Sequence, residues 1–292
     1  MSVIDRLLLR RRRRRVARVA AADSLFFHRE ILQRLLDRLE YMKLVPVRVL
    51  YLGLAGNEAT RLLIKRYPGV ELIFADSIEL SLRPYRRHWW QKPLPRVVLD
   101  AESLGFADQS FDLIIANLHF VEANEPEQVF REVFRILRPE GLLLFSTLGP
   151  DSLKELSHVA SPRHLVHPFI DMHHLGDMLL KRGFLDPVVD MEYIQLRYQR
   201  LKDLGHDLKA LGLTNARMDR HRGLLGRGFW ATLESAYRAQ WQQLDGALPV
   251  TVELVYGQAW RPVHDPQTQI KHGAEVLVPV EQLLNRPARR TR

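Results

Sequence analysis

The chain has 292 residues, a net charge of +9, 46% apolar and 26% charged residues, and no cysteine. That length buries one sizeable core with room for a smaller lobe, and the balance is that of a globular chain. The lack of cysteine excludes disulfides, thiolate metal sites and a Cys nucleophile, and with no membrane-length apolar run or secretory signal a cytoplasmic location is expected.

Residues 1–18 carry eight arginines against Asp5, a net +7, and Arg286, Arg289, Arg290 and Arg292 add +4 at the other end. The body between is close to neutral. The basic segment 1–23 reads either as a solvated helix face or arm, or as an electrostatic contact with an acidic partner, an anionic membrane or nucleic acid. Its Arg-rich, acid-poor composition also fits an organelle presequence.

Ser24 to Tyr41 has the spacing of an amphipathic helix, with Leu25, Ile31, Leu32, Leu35, Leu36 and Leu39 inward. The apolar run Val47 to Leu52 predicts a buried parallel strand, and Glu58 to Lys65 the helix after it. The turn between them falls where nucleotide-binding folds carry a glycine-rich loop. Gly53 keeps the freedom such a loop needs, but Ala55 and Asn57 stand two and four residues on. Strands are expected at Glu71–Ala75, Arg96–Leu99 and Phe111–Asn117, with a helix over Glu79–Trp90. Pro126, in a first turn where its missing N–H costs nothing, opens a helix that runs to Leu137. Arg138-Pro139-Glu140-Gly141 then turns the chain into a strand at Leu142–Ser146.

Beyond Gly149-Pro150 a helix over Leu175–Arg182 ends at Gly183, and Val188–Tyr198 is strand-like. Residues 199–245 are mostly helical, interrupted by the basic stretch Arg217 to Arg227, and Val250–Trp260 returns as a strand. The alternation predicts a doubly wound, Rossmann-like α/β sheet. Residues 24–150 form its nucleotide-binding core and 151–262 complete the sheet. Within the latter, about 199–245 make a helical lid over the carboxyl edge, and 263–292 are a basic tail.

Two acids fall at carboxyl ends of strands. Asp76 closes the second, where a carboxylate accepts from both ribose hydroxyls of a nucleoside; a helix N-cap is the alternative. Asp100-Ala101-Glu102 follows the third, where a carboxylate accepts from the exocyclic amine of adenine; a surface loop is the alternative. His164, His167, His173 and His174 suggest a metal by composition, but structural histidines are commoner and no metal is expected.

The stretches Phe145–Leu156, Pro168–His173, Asp186–Glu192 and Val255–Trp260, with Phe111–Leu118, resemble the BioC-type methyltransferases over roughly residues 24–262. The resemblance implies a seven-stranded class I methyltransferase fold with S-adenosyl-L-methionine (SAM) as cofactor. The reaction it implies is methylation of the free carboxyl of malonyl-acyl-carrier protein, early in biotin synthesis. By this resemblance Gly53 and Ala55 lie in the cofactor loop, Asp76 holds ribose, Asp100 and Ala101 flank adenine, and Asn117, in the fourth-strand motif, is a further cofactor-binding candidate. Arg217, Arg220, Arg222 and Arg227 are candidates for gripping the substrate carboxylate or the acidic carrier, with a solvated basic loop as the alternative. The expected partner is an acyl carrier or another acidic protein, not nucleic acid.

Two features pull away from that branch. Val3 to Leu7, followed by the arginine run, is similar to a sister branch containing the mitochondrial complex I assembly factor, which hydroxylates an arginine. The methionine side of the cofactor site also departs from the family. Tyr51 replaces an acidic residue, Ala55 a glycine, Val121-Glu122 a Gln-Trp pair, and Gln258 a histidine, while Glu58 repels the cofactor's carboxylate. These changes imply weakened SAM binding. A cofactor-free scaffold and an assembly factor acting on a protein partner therefore stay open beside the methyltransferase.

Overall fold

The structure is a computed structural model that describes residues 4–19, 26–54, 57–79, 94–160, 165–166, 168–210, 213–220, 223 and 225–265. Seven strands form one sheet in the order β3-β2-β1-β4-β5-β7-β6. They are β1 (Arg48–Gly53), β2 (Glu71–Asp76), β3 (Arg96–Val98), β4 (Phe111–Asn117), β5 (Leu137–Leu148), β6 (Leu185–Tyr198) and β7 (Leu248–Trp260). The strands from β3 to β5 pair in parallel, and β7 runs antiparallel to both β5 and β6.

The central strands are near-continuous apolar runs because helices cover both faces of a parallel sheet. Val49 and Tyr51 of β1 point to one face with Phe74, Leu113 and Ile115, under α2 (Phe26–Arg38) and α3 (Asn57–Arg66). Leu50 and Leu52 point to the other face with Ile73, Ile114 and Phe145. There they meet Phe130 and Phe134 of α4 (Pro126–Ile136) and Leu175 and Leu179 of α6 (Met172–Arg182). Asp171 caps α6 by accepting from the His173 amide at 2.8 Å, and Gly183 ends it at a φ of 101°. A third cluster joins α5 (Lys154–Ala160), α7 (Leu201–Ala210) and α8 (Arg227–Trp241) to the start of β7 through Leu156, Leu204, Leu233, Tyr237 and Val250. The helices α7 and α8 fall within the stretch 199–245 that the sequence reads as mostly helical.

Several boundaries differ from the sequence expectation. The stretch Arg138 to Gly141 does not simply turn: Phe111 faces Leu137 while Leu113 faces Leu142, so residues 138–141 bulge out inside one long β5. The bulge is held because the Glu140 amide donates to the Arg261 carbonyl and the Arg261 amide to that of Gly141. β6 begins at Leu185, three residues early, through its own register shift against β7. From residue 80 on, the helix expected over Glu79–Trp90 lies outside the described residues.

The basic N-terminal segment forms α1 (Arg6–Val19). Ile4 and Leu9 are buried against Ala216, while Leu7, Arg11 and Arg14 face solvent. One side of this helix is therefore solvated and the other is packed.

Candidate functional site

The carboxyl edge of the sheet gathers the ends of β1, β2, β3 and β4. Gly53 pairs with Asn117 across β1 and β4. Its φ is 128°, and a Cβ there would lie 2.5 Å from the Asn117 carbonyl oxygen, so this crossing demands glycine. Ala55 lies outside the described residues.

Asp76 is fully buried at the end of β2. It accepts from the Ser77 hydroxyl and from the Ile78 amide, each at 3.2 Å. Ala101 is buried just past β3. Asp100 is half-buried, and both of its oxygens are engaged by α1. Arg6 pairs with one, and Arg10 pairs with the other at 2.9 Å. Partial burial pushes the Asp100 carboxyl up, but the Glu102 amide and the Arg6 and Arg10 guanidinium groups outweigh it and hold the group below the ordinary carboxylate range. Glu102 binds the other arm of Arg6 at 2.9 Å and accepts from the amides of Asn124 and Glu125.

Asn117 is buried and turned into the protein. Its side-chain amide donates to the His28 carbonyl at 2.8 Å and to the Tyr51 phenol at 3.2 Å, and its oxygen accepts from Ser146 at 3.1 Å. Its side chain thus fastens the site floor. Tyr51 donates onward to the Leu54 carbonyl at 3.2 Å, and burial pushes its phenol far above the usual range, so it stays neutral.

Of the four candidate arginines, three lie among the described residues. Arg217 is held two-pronged by Asp219 at 2.7 and 2.6 Å. Arg220 pairs with Asp5 at 3.1 Å and donates to the Arg217 carbonyl at 2.7 Å. Arg222 lies outside the described residues, and Arg227 is exposed at the start of α8. Two of the four are therefore tied to acids of the chain itself. His173 and His174 are exposed on α6, and His164 and His167 lie outside the described residues.

Sequence reasoning missed Arg6 and Arg10 as parts of this edge. Their i, i+4 spacing marks one basic helix face, but nothing in the sequence ties that face to Asp100 and Glu102.

Comparison with known proteins fits this geometry. Residues 52–145 match the model of a methyltransferase domain. The chain is 40% identical over 271 residues to a malonyl-acyl-carrier-protein O-methyltransferase of Gallionella capsiferriformans, covering 89% of this chain and 92% of that one. It is 41% identical over 244 residues to a protein of the same name from Halorhodospira halophila, covering 82% of each. In fold it is similar to the solved YcgJ protein of Bacillus subtilis, with a TM-score of 0.54 at 16% identity, over 79% of this chain and 98% of that one. The chain belongs to the malonyl-acyl-carrier-protein O-methyltransferase family, the BioC-type branch of the class I SAM-dependent methyltransferases.

Proposed function

We propose that the protein methylates the free carboxylate of a malonyl group borne on an acyl carrier protein, in the cytoplasm. The observation that carries this reading is the 40% identity to a malonyl-acyl-carrier-protein O-methyltransferase across about nine-tenths of both chains. SAM supplies an electrophilic methyl group when bound. The residues of the carboxyl edge suit its nucleoside half: a buried Asp76 for the ribose hydroxyls, and Asp100 with the small Ala101 for adenine. Gly53 and the start of α3 bring backbone to the cofactor loop.

The chain need not provide a strong base, because a carboxylate is already ionised at neutral pH. Its task is to align the reactants and exclude water, and the α5, α7 and α8 layer covering the start of β7 suits the second role. Among the lid arginines, Arg227 is exposed and so suited to an acidic carrier. We divide the chain accordingly into the segment 1–23, a cofactor core at 24–150, a lid-bearing half at 151–262 and a tail at 263–292.

The test is incubation of the purified chain with SAM and malonyl-acyl-carrier protein, followed by mass spectrometry of the carrier. The expected product carries one added methyl group, and Arg227→Glu raises KM for the carrier with kcat nearly unchanged. A folded protein that yields no methyl ester overturns the proposal. That outcome would favour a scaffold without catalysis, the second reading, to which the neutral Tyr51 in place of an acid lends support.

A further inference from the structure

Helix α1 lies against the edge at which adenine has to enter, and it is clamped from two sides. On the sheet side, Arg6 and Arg10 each take one oxygen of Asp100, and Arg6 also reaches Glu102. Their i, i+4 spacing puts both guanidinium groups on one helix face, with Leu9 buried alongside. Just upstream, the Ile4 amide donates to the Asn124 side-chain oxygen at 2.8 Å, and the Asn124 amide group donates back to the Ile4 carbonyl at 3.1 Å.

On the lid side, Ile4 forms an antiparallel bridge with Arg217. The Asp5 amide donates to the Ala216 carbonyl at 2.7 Å, Asp5 pairs with Arg220, and Arg12 donates to the Asn215 carbonyl. What remains between Arg6, Leu9, Arg10, Ser77, Ala101 and His119 is a cavity of about 10 Å³. That holds about one water.

The grip on Asp100 and Glu102 is ionic. Ile4, Leu9 and Ala216, with Leu8 against them, make a small apolar patch, and the three arginine–carboxylate contacts are each partly open to solvent. Half-exposed ion pairs are individually weak and are screened by salt.

We propose that α1 is an autoinhibitory strap: Arg6 and Arg10 hold Asp100 in competition with the adenine amine, and the cofactor binds when the helix leaves that carboxylate. The proposal rests on the assignment of Asp100 to adenine made under Proposed function. The competition has a sign. Two charge-assisted guanidinium contacts are stronger than one hydrogen bond from a neutral amine, but salt weakens them more. Cofactor affinity therefore rises with ionic strength.

The probe is S-adenosylhomocysteine, the unreactive product, titrated calorimetrically into the full chain and into the variant R6Q/R10Q. The variant binds about tenfold more tightly at low salt, and the gap closes as salt rises from about 0.05 to 0.5 M. Equal or weaker binding by the variant overturns the strap while leaving the proposed function standing. Binding by neither protein overturns both.

A second readout needs no substitution. Trypsin cuts after the exposed Arg11 and Arg14, and S-adenosylhomocysteine speeds those cuts in the wild-type chain if it displaces the helix. Protection of the same bonds by the product means that α1 closes over the ligand, and overturns the proposal.

Discussion

The side-chain amide of Asn117 donates to the phenol of Tyr51 at 3.2 Å, and that phenol donates in turn to the carbonyl of Leu54 at the same distance. The link lies at the carboxyl end of β1. Through Asn117 it continues to the His28 carbonyl on α2 and to Ser146 on β5, so one buried network ties four elements together. Tyr51 is buried and neutral, and it serves here as a strut.

Replacing Tyr51 with Phe keeps the ring against Phe74, 5.7 Å between centroids, and removes the hydroxyl alone. The Leu54 carbonyl loses a donor and Asn117 an acceptor, at a cost of about 1–3 kcal/mol. The expected outcome is a lower denaturant midpoint with an unchanged slope, because the surface exposed on unfolding is the same. An unchanged midpoint would mean that the strut contributes nothing to the floor.

Gly53→Ala attacks the same place through the backbone. The new methyl would meet the Asn117 carbonyl oxygen at 2.5 Å, in a left-handed conformation that L residues avoid. A destabilisation of about 2–3 kcal/mol is expected, with weaker S-adenosylhomocysteine binding at temperatures where the variant is still folded. Normal stability together with normal binding would show that β1 and β4 separate there without cost.

Much of this fold was legible because its signals are local. The apolar run Val47 to Leu52 marks β1 to within a residue at each end, Pro126 opens α4 by its missing N–H, and Gly183 ends α6 by its positive φ. The bulge at residues 138–141 was not legible, because the amide exchange that holds it involves Arg261, far along the chain. Asp76 and Asp100 could be placed at strand ends from spacing alone. The arginines that engage Asp100 could not, because no period links residues 94 and 90 positions apart. Asn117 was placed at the right edge, but which way its amide turns depends on three partners from other elements.

Asp112 predicts how the fold responds to acid. It accepts from the amides of Val47 and Arg48 at 2.9 and 2.8 Å and from Arg138 at 2.8 Å, at the amino end of β4. Partial burial pushes its carboxyl up, but these donors outweigh it and leave the group below the ordinary range. A folded-state pKa below the unfolded one gives stability that is present above the unfolded value and lost as pH falls through the folded one. Asp112→Asn should therefore be less stable than wild type at neutral pH, and the difference should shrink as pH drops below about 4. Thermal melts across that range measure it, and a pH-independent difference would assign the loss to packing.

Asp76 separates a local cap from a ligand group. It is fully buried and accepts from Ser77 and from the Ile78 amide, as a residue that only shapes the turn after β2 would do. A ribose-binding carboxylate would sit in the same place, at the carboxyl edge of the sheet. Asparagine distinguishes the two roles. It retains an oxygen for the Ile78 amide in nearly the same shape, but its neutral acceptor is weaker toward ribose hydroxyls than a carboxylate. Asp76→Asn should therefore melt within a few degrees of wild type, while its Kd for S-adenosylhomocysteine rises about 10- to 100-fold. Asp76→Ala should lose both the turn and the affinity. If the asparagine variant binds as tightly as wild type while the alanine variant loses only stability, Asp76 is a cap and the ribose is held elsewhere.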